Sequence, residues 1–157
     1  MNLNETTAKE SETFCSEVVF QRMLILERKK TERSGRPFLL VLFNIDELLK
    51  NSKRPKEVLV HALASALNES TREIDVKGWY RQDSLIGVIC TEVNRNQRDT
   101  VVAKVKNKLL LFLDLPEMKL VSMYLIDYPE YETLIDPSSP RRVIEELQPE
   151  RKGMFYS

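Results

Sequence analysis

Two runs of the chain are apolar at successive positions, Phe38 to Ile45 (FLLVLFNI) and Leu85 to Thr91 (LIGVICT). A strand that is apolar on both faces belongs in the interior of a sheet, so both are predicted to be central. Val76 to Tyr80 precedes the second run, and the short polar stretch Arg81 to Ser84 separates them; the pair reads as a β-hairpin. Lys119 to Ile126 has the mixed pattern of an edge strand. Helical spacing appears from Ser16 to Arg33, through Val19, Phe20, Met23, Leu24 and Leu26, with Gly35 and Pro37 as stops. It recurs over Val58 to Leu67, where Leu59, Leu63 and Leu67 are four apart, and over Asn94 to Leu113, which Pro116 is expected to end. Asp46 to Lys56 reads as a polar, basic loop leading through Pro55 into the second helix.

Leaving aside the first helix, the order is β-α-β-β-α-β. That predicts an α+β, ferredoxin-like fold: an antiparallel sheet, both main helices on one face, and an extra N-terminal helix. Residues 1–13 read as a flexible tail and 14–136 as one domain. Residues 137–157 read as a C-terminal tail with a possible short helix at Arg141 to Leu147 and an apolar end, Met154-Phe155-Tyr156. Such a fold hosts many activities and fixes none.

Composition narrows the partners. The 24 basic and 24 acidic residues cancel, so no global field draws the chain to nucleic acid or to an anionic membrane. The polar N-terminus is no secretory signal and no run has the length of a membrane span, which makes a cytoplasmic protein the expectation. Cys15 and Cys90 have no metal spacing, and His61 falls on an exposed helix position. Arg28, Lys29 and Lys30 suit a solvated last turn. Trp79 and Tyr80 alternate across the hairpin strand, so one is expected inside and the other on a surface for a partner.

The hairpin carries the most specific signal. Arg72-Glu73-Ile74-Asp75 is followed by five residues and then by Arg81-Gln82-Asp83-Ser84-Leu85. This resembles the signature of GGDEF domains, the family that includes diguanylate cyclases, where an Arg-x-x-Asp precedes Gly-Gly-Asp/Glu-Glu-Phe by the same spacing. Arg33 to Phe38 is similar to the family's helix-to-strand turn, Asn44-Ile45-Asp46 to its Asp-x-Asp, and Val121-Ser122-Met123 to its last core strand. The resemblance runs from Phe14 to about Tyr128.

It implies a nucleotide-cyclase palm, and with it a reaction joining two GTP molecules on carboxylate-held metal ions. The chain departs from that pattern at several places. Asn44 stands where the resemblance implies a metal-binding aspartate, Ser84 replaces the signature glutamate, and Arg81 and Gln82 replace the two phosphate-facing glycines. The guanine-binding loop is shortened to a stretch holding Leu48, Leu49, Ser52, Pro55 and Lys56. Asp46 and Asp83 are the acids kept. The expectation is therefore a catalytically inactive, non-enzymatic domain with no metal and no cofactor (magnesium included). It would serve as a regulatory or protein-interaction module in bacterial signalling; the alternative is an active or altered cyclase with a divergent metal site. The resemblance further implies that Arg72 and Asp75 form an inhibitory site for cyclic di-GMP, against which stands a local ion pair. It also implies a protein partner or a homodimer formed through the N-terminal helix.

Overall fold

The computed structural model describes residues 14–93 and 95–128. Its centre is the strand β2 (Phe38–Asn44), which pairs antiparallel with β4 (Leu85–Thr91) on one side and β5 (Ser122–Tyr128) on the other. Phe38 faces Thr91 and Tyr128, and Asn44 faces Leu85 and Ser122, with the register unbroken between. β3 (Val76–Arg81) completes the hairpin with β4. A short strand β1 (Phe14–Cys15) adds parallel to β3, so the order is β1-β3-β4-β2-β5 and the sheet is mixed rather than wholly antiparallel. That approach needs Gly78: a Cβ there would stand 2.5 Å from the carbonyl oxygen of Cys15. Both doubly apolar runs are central and β5 is an edge, as their patterns predict.

Helix α1 (Glu17–Ser34) starts at Ser16, whose Oγ accepts from the Val19 N–H at 3.4 Å, and stops at Gly35 in the left-handed region (φ 74°). α3 (Lys56–Ser70) and α4 (Arg98–Phe112) pack together on one face. Leu59, Leu63, Leu67, Val105 and Leu109 there join Leu39, Val41, Phe43, Val88 and Cys90 in one apolar cluster. The other face gathers Leu40, Leu42, Ile89 and Tyr124 around Phe20 and Leu24 of α1. Burying one such aliphatic side chain contributes about 1.5–3 kcal/mol. Each helix is thus held by its apolar stripe more than by its own propensity.

Three further expectations need correction. Asp46 to Lys56 is not all loop: α2 (Asp46–Asn51) forms because Leu48, fully buried, anchors its inner face. Pro116 does not end α4, which stops at Phe112; the proline lies in the first turn of α5 (Leu115–Met118), where a missing N–H costs nothing. Asp114 and Glu117 cap that turn reciprocally. Trp79 and Tyr80 are both buried, at 7% and 3% exposure, because β1 and α1 cover the hairpin edge. Trp79 meets Phe14 edge-on and Tyr80 meets Phe20, so neither ring is a partner surface. Asn94 lies outside the described residues, and the third helix is led in by a 3-10 turn at Arg95–Gln97. The N-terminal tail 1–13, the helix at Arg141 to Leu147, the apolar C-terminus and the C-terminal end of the expected domain also lie outside the described residues. Among those described, no helix is long and apolar enough to cross a membrane.

Candidate functional site

The turn of the hairpin closes on the end of β2. The Ile45 N–H donates to the Ser84 carbonyl at 2.9 Å, and Asn44 Oδ1 accepts from the Asp46 N–H at 3.0 Å. Ser84 Oγ then donates to Asp46 Oδ2 at 3.1 Å. Asp83 takes φ 61°, a left-handed conformation that costs a side chain about 1–2 kcal/mol and glycine little. Its carboxylate pairs with Lys56 Nζ at 2.8 Å, which holds its pKa below the usual carboxylate range. The structure therefore brings Asn44, Asp46, Asp83, Ser84 and Lys56 to one cleft.

From the other side α1 grips the same turn. Glu17 Oε1 accepts from the Gln82 N–H at 2.6 Å, and Gln21 Nε2 donates to the Tyr80 carbonyl at 2.6 Å. The backbone at Tyr80 and Gln82 is thus tied to α1, whereas Asp83 pairs with Lys56.

A magnesium ion needs several charged oxygens turned to one point. Here Asn44 is spent on a backbone N–H, Asp46 on the Ser84 hydroxyl and Asp83 on an ammonium. Among the described residues no group of three or more His, Cys, Asp or Glu is placed to hold a metal ion.

The opposite end of the hairpin holds Arg72 and Asp75. α3 is closed by Thr71, whose Oγ1 donates to the Leu67 carbonyl at 2.6 Å. The chain then makes a tight turn: the Asp75 N–H donates to the Arg72 carbonyl at 3.0 Å, and the Arg72 N–H donates to Asp75 Oδ2 at 2.9 Å. Arg72 Nη2 stands 3.5 Å from Asp75 Oδ1 and also donates to the Thr91 carbonyl. The guanidinium is about half exposed (47%), whereas the aspartate side chain is 5% exposed and its Oδ1 receives no hydrogen bond. Beneath it Lys77 is buried, its amine 3.4 Å from the Asp75 carbonyl. Burial lowers the Lys77 pKa, and the charge of Asp75 opposes that shift. β4 separates Thr91 from the cleft at Leu85 by about 20 Å of strand.

Sequence reasoning missed Glu17, Gln21 and Lys77, whose roles depend on contacts between distant segments. It also missed Arg54, which grips the buried Glu117 with two 2.8 Å bonds while Ser52 adds a third at 2.9 Å. The Asp114-x-x-Glu117 spacing was a readable sign of that junction.

No family model matches the chain, and no curated protein does. Solved structures do. A DGC protein from Thermotoga maritima is 16% identical with a TM-score of 0.58, over 87% of this chain and 94% of that one. The GGDEF domain of DgcB from Caulobacter crescentus, solved in complex with c-di-GMP, is 13% identical with a TM-score of 0.59, over 89% and 86%. The diguanylate cyclase SiaD from Pseudomonas aeruginosa, solved with its activator SiaC, is 16% identical with a TM-score of 0.58, over 97% of this chain and 63% of that one.

The chain has a GGDEF-like, α+β nucleotide-cyclase palm. This corrects the expectation that the chain is not an enzyme. The structures found to share its fold are those of diguanylate cyclases, so the fold gives no ground for setting enzymes aside. Substituted letters at Asn44, Arg81, Gln82 and Ser84 do not demonstrate a lost reaction.

Proposed function

We propose that this chain is a regulatory domain of GGDEF type that responds to cyclic di-GMP, with Arg72 and Asp75 as the ligand's anchor. One observation carries the reading: Asp75 Oδ1 is a buried acceptor that receives no hydrogen bond and has only the half-exposed Arg72 guanidinium, 3.5 Å away, as its ion-pair partner. A guanine edge supplies the matching set. Its N–H groups suit a carboxylate, and its O6 and N7 suit an arginine fork. Swinging Arg72 outward to such a ligand uncovers the carboxylate it now shields. The fold supports the reading, as does the Caulobacter domain solved with c-di-GMP. This reading calls for no cofactor. It gives α1 the output role, toward a protein partner or a second copy, since Val18, Val19, Ile25 and Leu26 are exposed there.

Thermal unfolding tests it. Ligand at 100 times its Kd stabilises a folded protein by about 2.7 kcal/mol. Cyclic di-GMP should raise the midpoint of the natural chain clearly more than that of Arg72→Ala; an equal rise in both, or none in either, refutes the assignment.

A second reading is favoured by the convergence of Asp46, Asp83 and Lys56 around Ser84: guanine-nucleotide chemistry at the cleft. Turnover of GTP that falls in both Asp46→Ala and Asp83→Ala is its expected sign. Turnover indifferent to both removes it.

A further inference from the structure

Phe20 and Leu24, both fully buried, fasten α1 to the sheet, and Thr31 continues their line. At 3.6 residues per turn the opposite side of the helix is an arc of roughly 160°. Val18, Val19, Met23, Ile25 and Leu26 stand on it, all exposed, Val18 at 66% and Leu26 at 49%. Between and beyond them on the same arc stand Arg22, Lys29, Lys30 and Arg33, also exposed. The carboxylates of the helix lie off it: Glu17 accepts from the Gln82 N–H, Glu27 faces Lys30 at 3.6 Å, and Glu32 sits at the margin. A helix face that meets only water carries charged and polar side chains, and large apolar ones stand there singly. Here five apolar side chains share one face with four cations and, among the described residues of the helix, no acid.

The charges that cancel over the whole chain do not cancel here. From Arg22 to Arg36 there are six basic residues and two acidic ones. Arg36 and Ile74, the latter 54% exposed, extend the same surface past the end of α1. With Met23, Lys30 and Arg33 they line a groove of about 850 Å³ that runs to Thr91. The Lys30–Glu27 pair is open to solvent on the lysine side and therefore weak. α2, α3 and α4 bury their apolar residues against the other face of the sheet, so among the described residues α1 stands alone on its own.

We propose that this face of α1 docks on an anionic lipid bilayer. Val18, Val19, Ile25 and Leu26 would enter the boundary between headgroups and acyl chains. The stems of Arg22, Lys29 and Arg33 would lie along that boundary with their charged ends at the lipid phosphates. Charge selects this occupant. A second copy would set four cations against four, a like-charge juxtaposition that weakens an interface, whereas an anionic surface pairs with all of them at once. Shape agrees, since a convex helix standing out from its sheet can lie on a plane without a matching groove. Such docking goes beyond cyclic di-GMP binding and needs neither Arg72 nor Asp75. A protein partner of α1 would meet the helix only off the bilayer.

Cosedimentation of the full chain with lipid vesicles tests the proposal. One set holds equal parts phosphatidylglycerol and phosphatidylcholine, the other phosphatidylcholine alone. The chain should pellet with the first and stay in solution with the second. Each basic residue at an anionic surface contributes about five-fold to partitioning, so Lys29→Gln with Arg33→Gln should weaken binding roughly twenty-fold. Val18→Ser with Ile25→Ser should weaken it several-fold at unchanged charge. All four positions are exposed, and an unchanged thermal midpoint confirms that each double variant is folded. Binding indifferent to either pair, or equal binding to the neutral vesicles, overturns the proposal. So does no binding to the anionic ones, which would leave the face to an acidic protein. A dimer in sedimentation velocity that Ile25→Asp dissociates would make a second copy the occupant and overturn it too.

Discussion

Phe20 fills the space that Gly87 leaves open: a Cβ on Gly87 would stand 2.5 Å from Phe20 Cζ. The Phe20 ring of α1 therefore lies against the central strand β4 in the space that the missing side chain of Gly87 leaves. The same helix grips the hairpin turn through Glu17 and Gln21. The N-terminal helix is part of the palm, and its seat governs where the turn residues stand.

Gly87→Ala should therefore destabilise the domain by about 1–3 kcal/mol, the usual cost of overpacking a filled core. Urea unfolding followed by Trp79 fluorescence would measure it. A companion Phe20→Leu should recover part of the loss in the double variant, and strict additivity of the two would show that they are not in contact.

Arg54 and Glu117 join the loop after α2 to the cap of α5. Arg54→Ala leaves a buried carboxylate short of its partner and should cost about 1–3 kcal/mol. The pH dependence follows from the direction of the shift. The hydrogen bonds from Arg54 lower the folded-state pKa of Glu117 below its ordinary 4.5. The stabilisation is then fully present above that ordinary value and is lost as pH falls through the lowered one. Stability curves of the natural chain and Glu117→Gln should differ at pH 7 and draw together as the pH falls below 4.5; a difference that stays constant through that fall contradicts the pairing.

Cys90 lies under α3 and α4, and burial pushes its thiol pKa up to about 12. At pH 8 almost none of it is thiolate, so alkylation should be confined to Cys15 in the native state. Mass spectrometry after iodoacetamide should find Cys90 modified only once the protein is unfolded. Native labelling of Cys90 at the rate of a free thiol would place that strand at the surface.

Much of this fold was legible because two strands are apolar on both faces and so announce that they are central. The helices were legible where leucines recur, as at Leu59, Leu63 and Leu67. α2 was not, because its six residues rest on one buried anchor, Leu48, too few for a periodic signal. The Trp79–Tyr80 pair was misread for a different reason: both rings are buried, Tyr80 against Phe20, sixty residues away in sequence, and pattern alone cannot say which strand faces a helix cover. At the site, the spacing of Arg72 and Asp75 to the turn was readable, whereas the burial of Asp75 and the Lys77 beneath it arise only on folding. The acids Asp46 and Asp83 were recognised, but not that Lys56 and Ser84 would hold them. The loss of motif letters was legible too, yet what a palm can still do depends on how the remaining groups are arranged, and that is not written in the letters.

Calorimetric titration of the full chain with cyclic di-GMP tests the central claim most directly. Binding should be seen, and Arg72→Ala should weaken it by roughly tenfold to a hundredfold, since a bidentate arginine–guanine contact contributes about 1–3 kcal/mol. Asp75→Asn, which keeps the shape of the buried turn while losing the charge, should weaken it as well; Asp83→Ala, at the other end of β4, should leave it nearly unchanged. No heat at high micromolar ligand, or affinity indifferent to Arg72, would reduce the pair to a structural element of the turn and contradict the account.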